Sequence, residues 1–389
     1  MPSVALILAG ITLLIWIVLA FFRGTFWLLR TFDDDIAPHL SPPVWPRVVS
    51  VMPARNEAET IARAVASLAR QEYPGELRIV IVDDHSEDAT ADLATAAAKE
   101  AGAAERVRIL KAEALQGGWT GKLWALRQGV ASCEGDAPEY FWFTDADIVH
   151  APDTLARLVS RAEQQRLDLV SLMVLLQAKS FAERMLIPPF LYFFLKLYPP
   201  RWIADTKAKM AGAAGGCILM RRAALERIGG FAAIRGEVID DCALGRAVKR
   251  SGGAIWVGLT RKSVSLRAYQ AFGDIRDLIA RTAFTQLKYS SLLLFGTLAG
   301  MLLTYVAPVV LAFHPQPVVW RMGLAAWLLM AVTYLPTVRF YGLSPLWTPF
   351  LPVAAAFYSY ATWLSAVRYW LGRGGQWKGR AQAATATRP

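Results

Sequence analysis

Residues 140–149 read Tyr-Phe-Trp-Phe-Thr-Asp-Ala-Asp-Ile-Val, and the fold turns on how this stretch is read. Four bulky apolar residues in succession fit a strand buried on both faces of a sheet. Such a strand delivers Asp145 and Asp147 to its carboxyl end. Two Asp at i and i+2 can converge on one hard divalent cation once the strand bends into a loop. Mg2+ or Mn2+ held by one or two carboxylates usually completes its shell with phosphate oxygens. An isolated Asp-x-Asp is a weak signal, and its weight comes from the segments around it.

Those segments alternate between strand and helix. Val48–Met52 reads as a short strand, and Ala58–Gln71 has helical spacing through Ile61, Val65 and Leu68 until Tyr73-Pro-Gly75 ends it. Ile79–Val82 is a continuous β-branched run, Asp88–Ala101 is helical, Val107–Leu110 is a third strand and Leu123–Ala131 a helix. Tyr140–Thr144, helical Pro152–Gln165 and the strand Leu169–Met173 follow. This alternation predicts a doubly wound α/β sheet. Ligands of such sheets bind beyond the carboxyl ends of the strands.

The residues after each strand are therefore the ones to inspect. They are Pro53-Ala-Arg-Asn-Glu57, Asp83-Asp-His-Ser-Glu-Asp88, Gly117-Gly-Trp-Thr-Gly-Lys122 and the Asp-Ala-Asp itself. Asn56, Ser86 and Asp88 are good helix N-caps and the Gly-rich stretch an ordinary loop. Capping does not explain why Asp83, Asp84, Asp145 and Asp147 gather at one sheet edge, where they repel unless a cation or ligand donors share them. Asp83 and Asp84 can accept hydrogen bonds from a base N–H and ribose hydroxyls, and Lys122 can face phosphate as a point charge. The loop is not the phosphate cradle of NTPases, since Gln116 stands at the required Gly and Leu123 follows the Lys. There is no dinucleotide fingerprint, and the four His are scattered.

Further along, Gly212-Ala-Ala-Gly-Gly216 precedes an apolar strand Cys217–Met220 and a helix running to Ile228. Glycine-rich backbone there permits a ligand to approach closely or simply makes a tight turn. Asp240-Asp241 opens a helix reaching about Arg250. The aromatic, Pro-rich stretch 187–202 reads as an interfacial segment too broken to span a bilayer, or else as a buried connection.

Apolar residues make up 55% of the 389-residue chain and are unevenly spread. Residues 4–22 form an uncharged run long enough to cross a bilayer, read as an anchor rather than a cleaved signal. Residues 291–313, 322–338 and 345–367 are three further apolar stretches. The predicted organisation is an anchor at 1–30, a linker at 31–46, a globular domain at 47–288, transmembrane or re-entrant segments at 289–370 and a basic tail at 371–389. Arg23 and Arg30 follow the first span, which places the globular domain in the cytoplasm. A positive tail also prefers the inside, so either the short 322–338 or the Pro-rich 345–367 would be re-entrant. The net charge of +11 lacks a compact basic block with interleaved aromatics, which disfavours nucleic acid. Cys133, Cys217 and Cys242 have no paired spacing and fit a reducing compartment.

Taken together, Pro53-Ala-Arg-Asn-Glu57, Val82-Asp-Asp-x-Ser-x-Asp88, the Lys122 loop, Asp145-Ala-Asp147 and Ile239-Asp-Asp-x-x-Leu244 resemble family 2 glycosyltransferases of GT-A fold over about residues 47–265. The single N-terminal helix, three C-terminal segments and Arg281-Thr-Ala-Phe-Thr-Gln286 resemble the bacterial hopanoid-associated membrane enzymes, and more distantly ceramide glucosyltransferases. The resemblance implies inverting sugar transfer from a nucleoside-diphosphate donor, a UDP-sugar, to a lipid at the bacterial inner membrane, beside partners in hopanoid synthesis. It implies that Pro53, Ala54, Glu57, Asp83 and Asp84 line the nucleotide pocket, with Lys122 towards phosphate. Asp145 would approach ribose or metal, Asp147 would hold Mg2+ or Mn2+, and Asp241 would be the catalytic base with Asp240 as rival. Related enzymes carry Gln/Arg-x-x-Arg-Trp where this chain has Leu278-Ile-Ala-Arg281-Thr282, so Arg281 remains while the Gln and Trp are missing. That departure weakens a processive polymerase. Two alternatives stand: a polyprenyl-phosphate or polysaccharide product on the same fold, and a nucleotide-binding membrane scaffold or transporter. A transporter should carry ionisable residues within its spans, and residues 291–313 have none that is ionised.

Overall fold

The structure, a computed structural model, describes residues 4–33, 42, 44–372, 376–377 and 380–381. Much of the predicted linker and most of the predicted basic tail lie outside the described residues. Two compact units emerge: a helical unit of residues 1–30, 178–201 and 268–375, and an α/β unit of residues 31–177, 202–267 and 376–389. Segments 178–201 and 268–288, assigned from sequence to the globular domain, group with the helical unit.

Among the described residues, the main sheet of the α/β unit has eight strands: β1 (Val48–Ala54), β2 (Leu77–Asp83), β3 (Val107–Lys111), β4 (Tyr140–Thr144), β5 (Ile148–His150), β6 (Leu169–Leu175), β7 (Cys217–Arg221) and β8 (Ile255–Ser265). Their order is β3-β2-β1-β4-β7-β6-β8-β5. The first four are parallel, as the alternation predicts. The remainder corrects the purely doubly wound picture, because β7 runs antiparallel to both β4 and β6. Its start, not its end, therefore meets the carboxyl end of β4, with Cys217 opposite Thr144. That inversion brings the Gly212–Gly216 loop to the edge where Asp145 emerges.

Neither β5 nor β8 was legible beforehand. β5 has three residues, and the apolar run of β8 is interrupted by exposed Arg261 and Lys262. The helices Ile61–Ala69, Thr90–Glu100, Gly121–Ala131 and Thr154–Gln164 begin and end within three residues of their predicted positions.

Every residue of β1 and β4 is buried, as expected of central strands covered on both faces. Trp142 is fully buried and donates its indole N–H to Cys217 Sγ at 3.4 Å. Side chains of this size contribute roughly 1.5–3 kcal/mol each on burial. The helix Gly121–Ala131 lies almost in backbone contact with the sheet at Gly129, where an added Cβ would come within 2.4 Å of Val51 Cγ1. This close packing fixes the start of that helix, and with it Lys122, above the sheet edge.

In the helical unit, among the described residues, four helices are long and apolar enough to cross a membrane: Val4–Phe22, Ser291–Leu311, Pro317–Phe340 and Pro345–Trp370. The stretch judged short at 322–338 is part of a 24-residue helix, about 36 Å long at 1.5 Å per residue. Pro317 sits in its first turn, where no N–H is required. Likewise Pro345 and Pro349 fall in a 3-10 turn and Pro352 in the first turn after it, so none breaks Leu351–Trp370. The segment read as too broken at 187–202 falls largely in one helix, Phe181–Leu197, capped by Ser180 and Glu183 in a reciprocal capping box. Pro188 and Pro189 are inside it, and Ile187, Leu191, Tyr192 and Leu195 are buried. Tyr192 shares a hydrogen bond with Thr333 at 2.8 Å, and Tyr358 donates to the Leu186 carbonyl at 2.8 Å. It is thus a packed element of the helical unit, the reading that sequence kept second.

Candidate active site

The carboxyl ends of β1, β2 and β4 lie level, with Ala54 opposite Asp83 and Val51 opposite Phe143. Two polar assemblies form along this edge.

The first stitches the β1 and β2 loops together. Asp84 is fully buried, and its N–H donates to the Ala54 carbonyl at 2.8 Å. Asp83 accepts from the Ser86 N–H at 3.2 Å. Asn56 has a φ of 49°, a left-handed conformation that Asn tolerates better than most residues. Its side-chain oxygen accepts from the Glu87 N–H at 2.8 Å, and its own N–H donates to Ser86 Oγ at 3.0 Å. Arg55 donates to the carbonyls of Asp84 and His85. Asn56 and Ser86, read as helix caps, instead tie one loop to the other, and Asp88 accepts from the N–H groups of both Ala58 and Thr90.

The second assembly is a cluster of charges. Lys122, in the first turn of its helix, reaches Asp145 Oδ1 at 2.8 Å and Asp240 Oδ2 at 3.4 Å. Burial opposes the ammonium, but Asp145 and Asp240 overcome it and hold the Lys122 pKa above the usual range. Asp241 begins the helix Asp240–Arg250 and accepts from the Gly215 N–H at 2.9 Å and the Cys242 N–H at 2.6 Å. Desolvation and the neighbouring Asp240 nevertheless raise its pKa to about 6. Desolvation likewise raises Asp145, against the pull of Lys122. Gly215 packs close beneath these groups: a Cβ would sit 3.2 Å from Lys122 Nζ and 3.4 Å from Asp241 Oδ2. Pro53, Phe143, Thr144, Gly215 and Phe231 join these charges around a cavity of about 20 Å3.

Asp147 faces a different partner. Its Oδ2 accepts from Ser265 Oγ at 3.1 Å and from Arg267 Nε at 3.1 Å. Arg267 also holds both oxygens of Glu57, at 2.8 and 3.1 Å. A single guanidinium thereby joins the β1 loop, the Asp-Ala-Asp turn and the end of β8. At the end of β5, His150 braces the turn. Its ring nitrogens lie 2.8 Å from Thr144 Oγ1 and 2.8 Å from Ser263 Oγ, and burial depresses its pKa to about 3, so it is neutral.

The structure thus gathers Pro53, Lys122, Asp145, Asp240 and Asp241 around one point, and Glu57 with Asp147 around Arg267. Asp83 and Asp84 stay at the end of β2, with Ala54 beside them. Arg281 belongs to the helical unit and is exposed at the end of the helix Phe272–Ala280. Sequence reasoning missed Arg267, Ser265 and His150. The available signal was the alternation Ser263-Val-Ser265-Leu-Arg267 closing a strand, which is visible only once β8 is recognised.

Residues 50–229 match the family model described as Glycosyl transferase family 2. The chain is 31% identical over 126 residues to the beta-monoglucosyldiacylglycerol synthase of Trichormus variabilis, covering 32% of this chain and 25% of that protein. It is 33% identical over 121 residues to an N-acetylglucosaminyltransferase of Bradyrhizobium elkanii, covering 31% of this chain and 62% of that protein. The matched region therefore spans only a quarter of the length of the first relative and less than two thirds of the second. Among solved structures it is similar to the mannosyltransferase PcManGT from Pyrobaculum calidifontis in complex with GDP-Man and Mn2+. The TM-score is 0.59 at 19% identity, covering 95% of this chain and 99% of that one. The fold is accordingly GT-A, a Rossmann-like α/β domain with a mixed sheet, in a chain with membrane-length helices at both ends.

Proposed function

We propose that the protein is a membrane-bound inverting glycosyltransferase. It moves one sugar from a nucleoside-diphosphate donor, a UDP-sugar, to a lipid hydroxyl on the cytoplasmic face of a bacterial inner membrane, with a hopanoid as acceptor. The observation that carries this reading is the convergence of Asp241, Asp240, Lys122 and Asp145 on one small cavity at the sheet edge of a glycosyltransferase family 2 domain. Four membrane-length helices and the likeness to a protein named for a diacylglycerol product support a lipid acceptor. The hopanoid itself rests on the sequence resemblance, as do partners in hopanoid synthesis.

In this reading Asp241 takes the proton of the acceptor hydroxyl as its oxygen attacks the anomeric carbon from the face opposite the leaving diphosphate. A carboxyl with a pKa of about 6 is ionised at neutral pH and more basic than an ordinary aspartate, which suits that task. The backbone N–H groups of Gly215 and Cys242 orient it. Lys122 faces the departing phosphates as a point charge. Asp83 and Asp84 serve the nucleoside at the end of β2.

The oxygen chemistry of Asp145 and Asp147 suits a hard divalent cation, although their side chains face different partners here and no group of three or more His, Cys, Asp or Glu among the described residues is poised to hold a metal ion. The Lys122 ammonium lies where Asp145 and Asp240 share a positive charge. Asp145 and Asp147 would hold Mg2+ or Mn2+, which when bound neutralises charge developing on the diphosphate.

The full-length protein in detergent, given radiolabelled UDP-sugars and a bacterial lipid extract, should form a labelled glycolipid. The same species should disappear from a strain lacking the gene. No transfer from any nucleotide sugar would overturn the assignment.

A further inference from the structure

Both carboxylates of the Asp-Ala-Asp turn are already held by side-chain cations. Asp145 carries the Lys122 ammonium at 2.8 Å, and Asp147 carries the Arg267 guanidinium at 3.1 Å. The two cations differ in how firmly they are held. Arg267 is anchored twice over, by both oxygens of Glu57 and by Asp147. Lys122 is a single flexible stem whose ammonium lies between Asp145 and Asp240, close under Gly215.

The cavity beside the ammonium measures about 20 Å3, room for about one water molecule. A site for a drug-sized ligand needs several hundred Å3. Lys122, Asp145, Asp240 and Asp241 all line this cavity, so a diphosphate entering it meets the ammonium. An ammonium and a divalent cation also cannot share Asp145 at such distances without strong repulsion.

We infer that Lys122 is a positioning residue that gates the cation site: it holds the place of the divalent ion on Asp145 in the donor-free protein and yields that place when a diphosphate draws the ammonium away. This rests on the proposed metal-assisted transfer from a nucleotide sugar. Once the diphosphate is present, its oxygens replace Asp145 and Asp240 as partners of Lys122, and Asp145 is freed as a metal ligand. Metal binding and nucleotide binding thereby become coupled, and by linkage each strengthens the other.

The test is Mn2+ binding to full-length protein in detergent, read from loss of the free-ion EPR signal, with no sugar donor or acceptor present. Without nucleotide, the wild type should bind Mn2+ only at millimolar concentrations, whereas Lys122→Gln should bind at least tenfold more tightly. Adding Asp145→Asn to Lys122→Gln should abolish the gain, and Lys122→Arg should behave as wild type. Equal Mn2+ affinity of the wild type and Lys122→Gln without nucleotide would overturn the gate. So would micromolar binding by the free wild type, a measurement that depends on no variant. If Mn2+ is not bound even with UDP or GDP present, the metal reading itself fails, and the gate fails with it.

Discussion

Asp241→Asn separates a catalytic base from a structural cap because the two roles move stability in opposite directions. Folding raises the Asp241 carboxyl from 3.8 to about 6 through desolvation and Asp240. The folded state therefore binds its proton more tightly than the unfolded state. Sign follows directly: the contribution to stability is fully present below pH 3.8 and is lost as pH rises through about 6. A shift of about two units corresponds to roughly 3 kcal/mol at neutral pH. Partial exposure and solvent screening reduce that figure, and an amide facing the Gly215 N–H forfeits one hydrogen bond, about 1 kcal/mol. The variant should then be as stable as the wild type, or about 1 kcal/mol more stable, at pH 7.5. The difference should shrink or reverse towards pH 4.5. Thermal melts of the detergent-solubilised protein at both pH values measure this. Turnover at saturating donor should meanwhile fall by about two to four orders of magnitude, with donor affinity unchanged. A loss of stability at pH 7.5 with turnover retained would refute the argument and return Asp241 to a cap.

Four further outcomes can be checked. Asp240→Asn should reduce turnover far less than Asp241→Asn, while weakening the hold on Lys122; a dead Asp240 variant beside an active Asp241 one would exchange their roles. Asp147→Asn should lose metal-dependent turnover yet melt normally, since Arg267 retains Glu57; full activity of that variant, or of wild type in chelator, would remove Asp147 from the cation site. Gly129→Ala forces a Cβ to 2.4 Å from Val51 Cγ1, and the melting temperature should report a loss of roughly 1–3 kcal/mol. His150 has its pKa depressed to about 3, so its contribution to stability is present above pH 6.5 and lost as pH falls towards 3. His150→Gln should flatten that part of the acid-denaturation curve without adding a limb to the pH–rate profile.

The half of the sheet that was legible in the sequence is the half whose strands are buried on both faces. Ile79–Val82 and Tyr140–Phe143 announce themselves because a central parallel strand admits no polar residue for several positions. β8 hid because its middle reaches solvent at Arg261 and Lys262, which interrupts its apolar run. The inversion of β7 was invisible for another reason. Strand direction is set by where the chain re-enters the sheet, and between β6 and β7 the chain passes through residues 178–201 of the other unit. No local pattern in Cys217–Arg221 encodes that route. In the helical unit, proline misled: Pro317 and Pro352 occupy first turns, where the missing N–H costs nothing, while Pro188, Pro189 and Pro336 are carried inside continuous helices.

The proposed site residues were easier to find than their partners. Asp145, Asp147, Asp240 and Asp241 stand out because carboxylates at strand ends and helix starts are conspicuous, and each was marked for the pocket. What could not be read was which cation each would meet. Lys122 lies 23 residues before Asp145 and 118 before Asp240, and only the close approach of its helix at Gly129, together with the gap left by Gly215, brings the three together. Arg267 closes a strand that was not recognised, so the sole guanidinium joined to both Glu57 and Asp147 among the described residues went unnoticed. Charge type at a sheet edge is a local property and survives in the sequence, whereas charge pairing depends on the packing of distant elements. The same distinction governs the proposed cation site: its carboxylates can be marked in the sequence, whereas the lysine proposed to gate it has a position that only the folded chain defines.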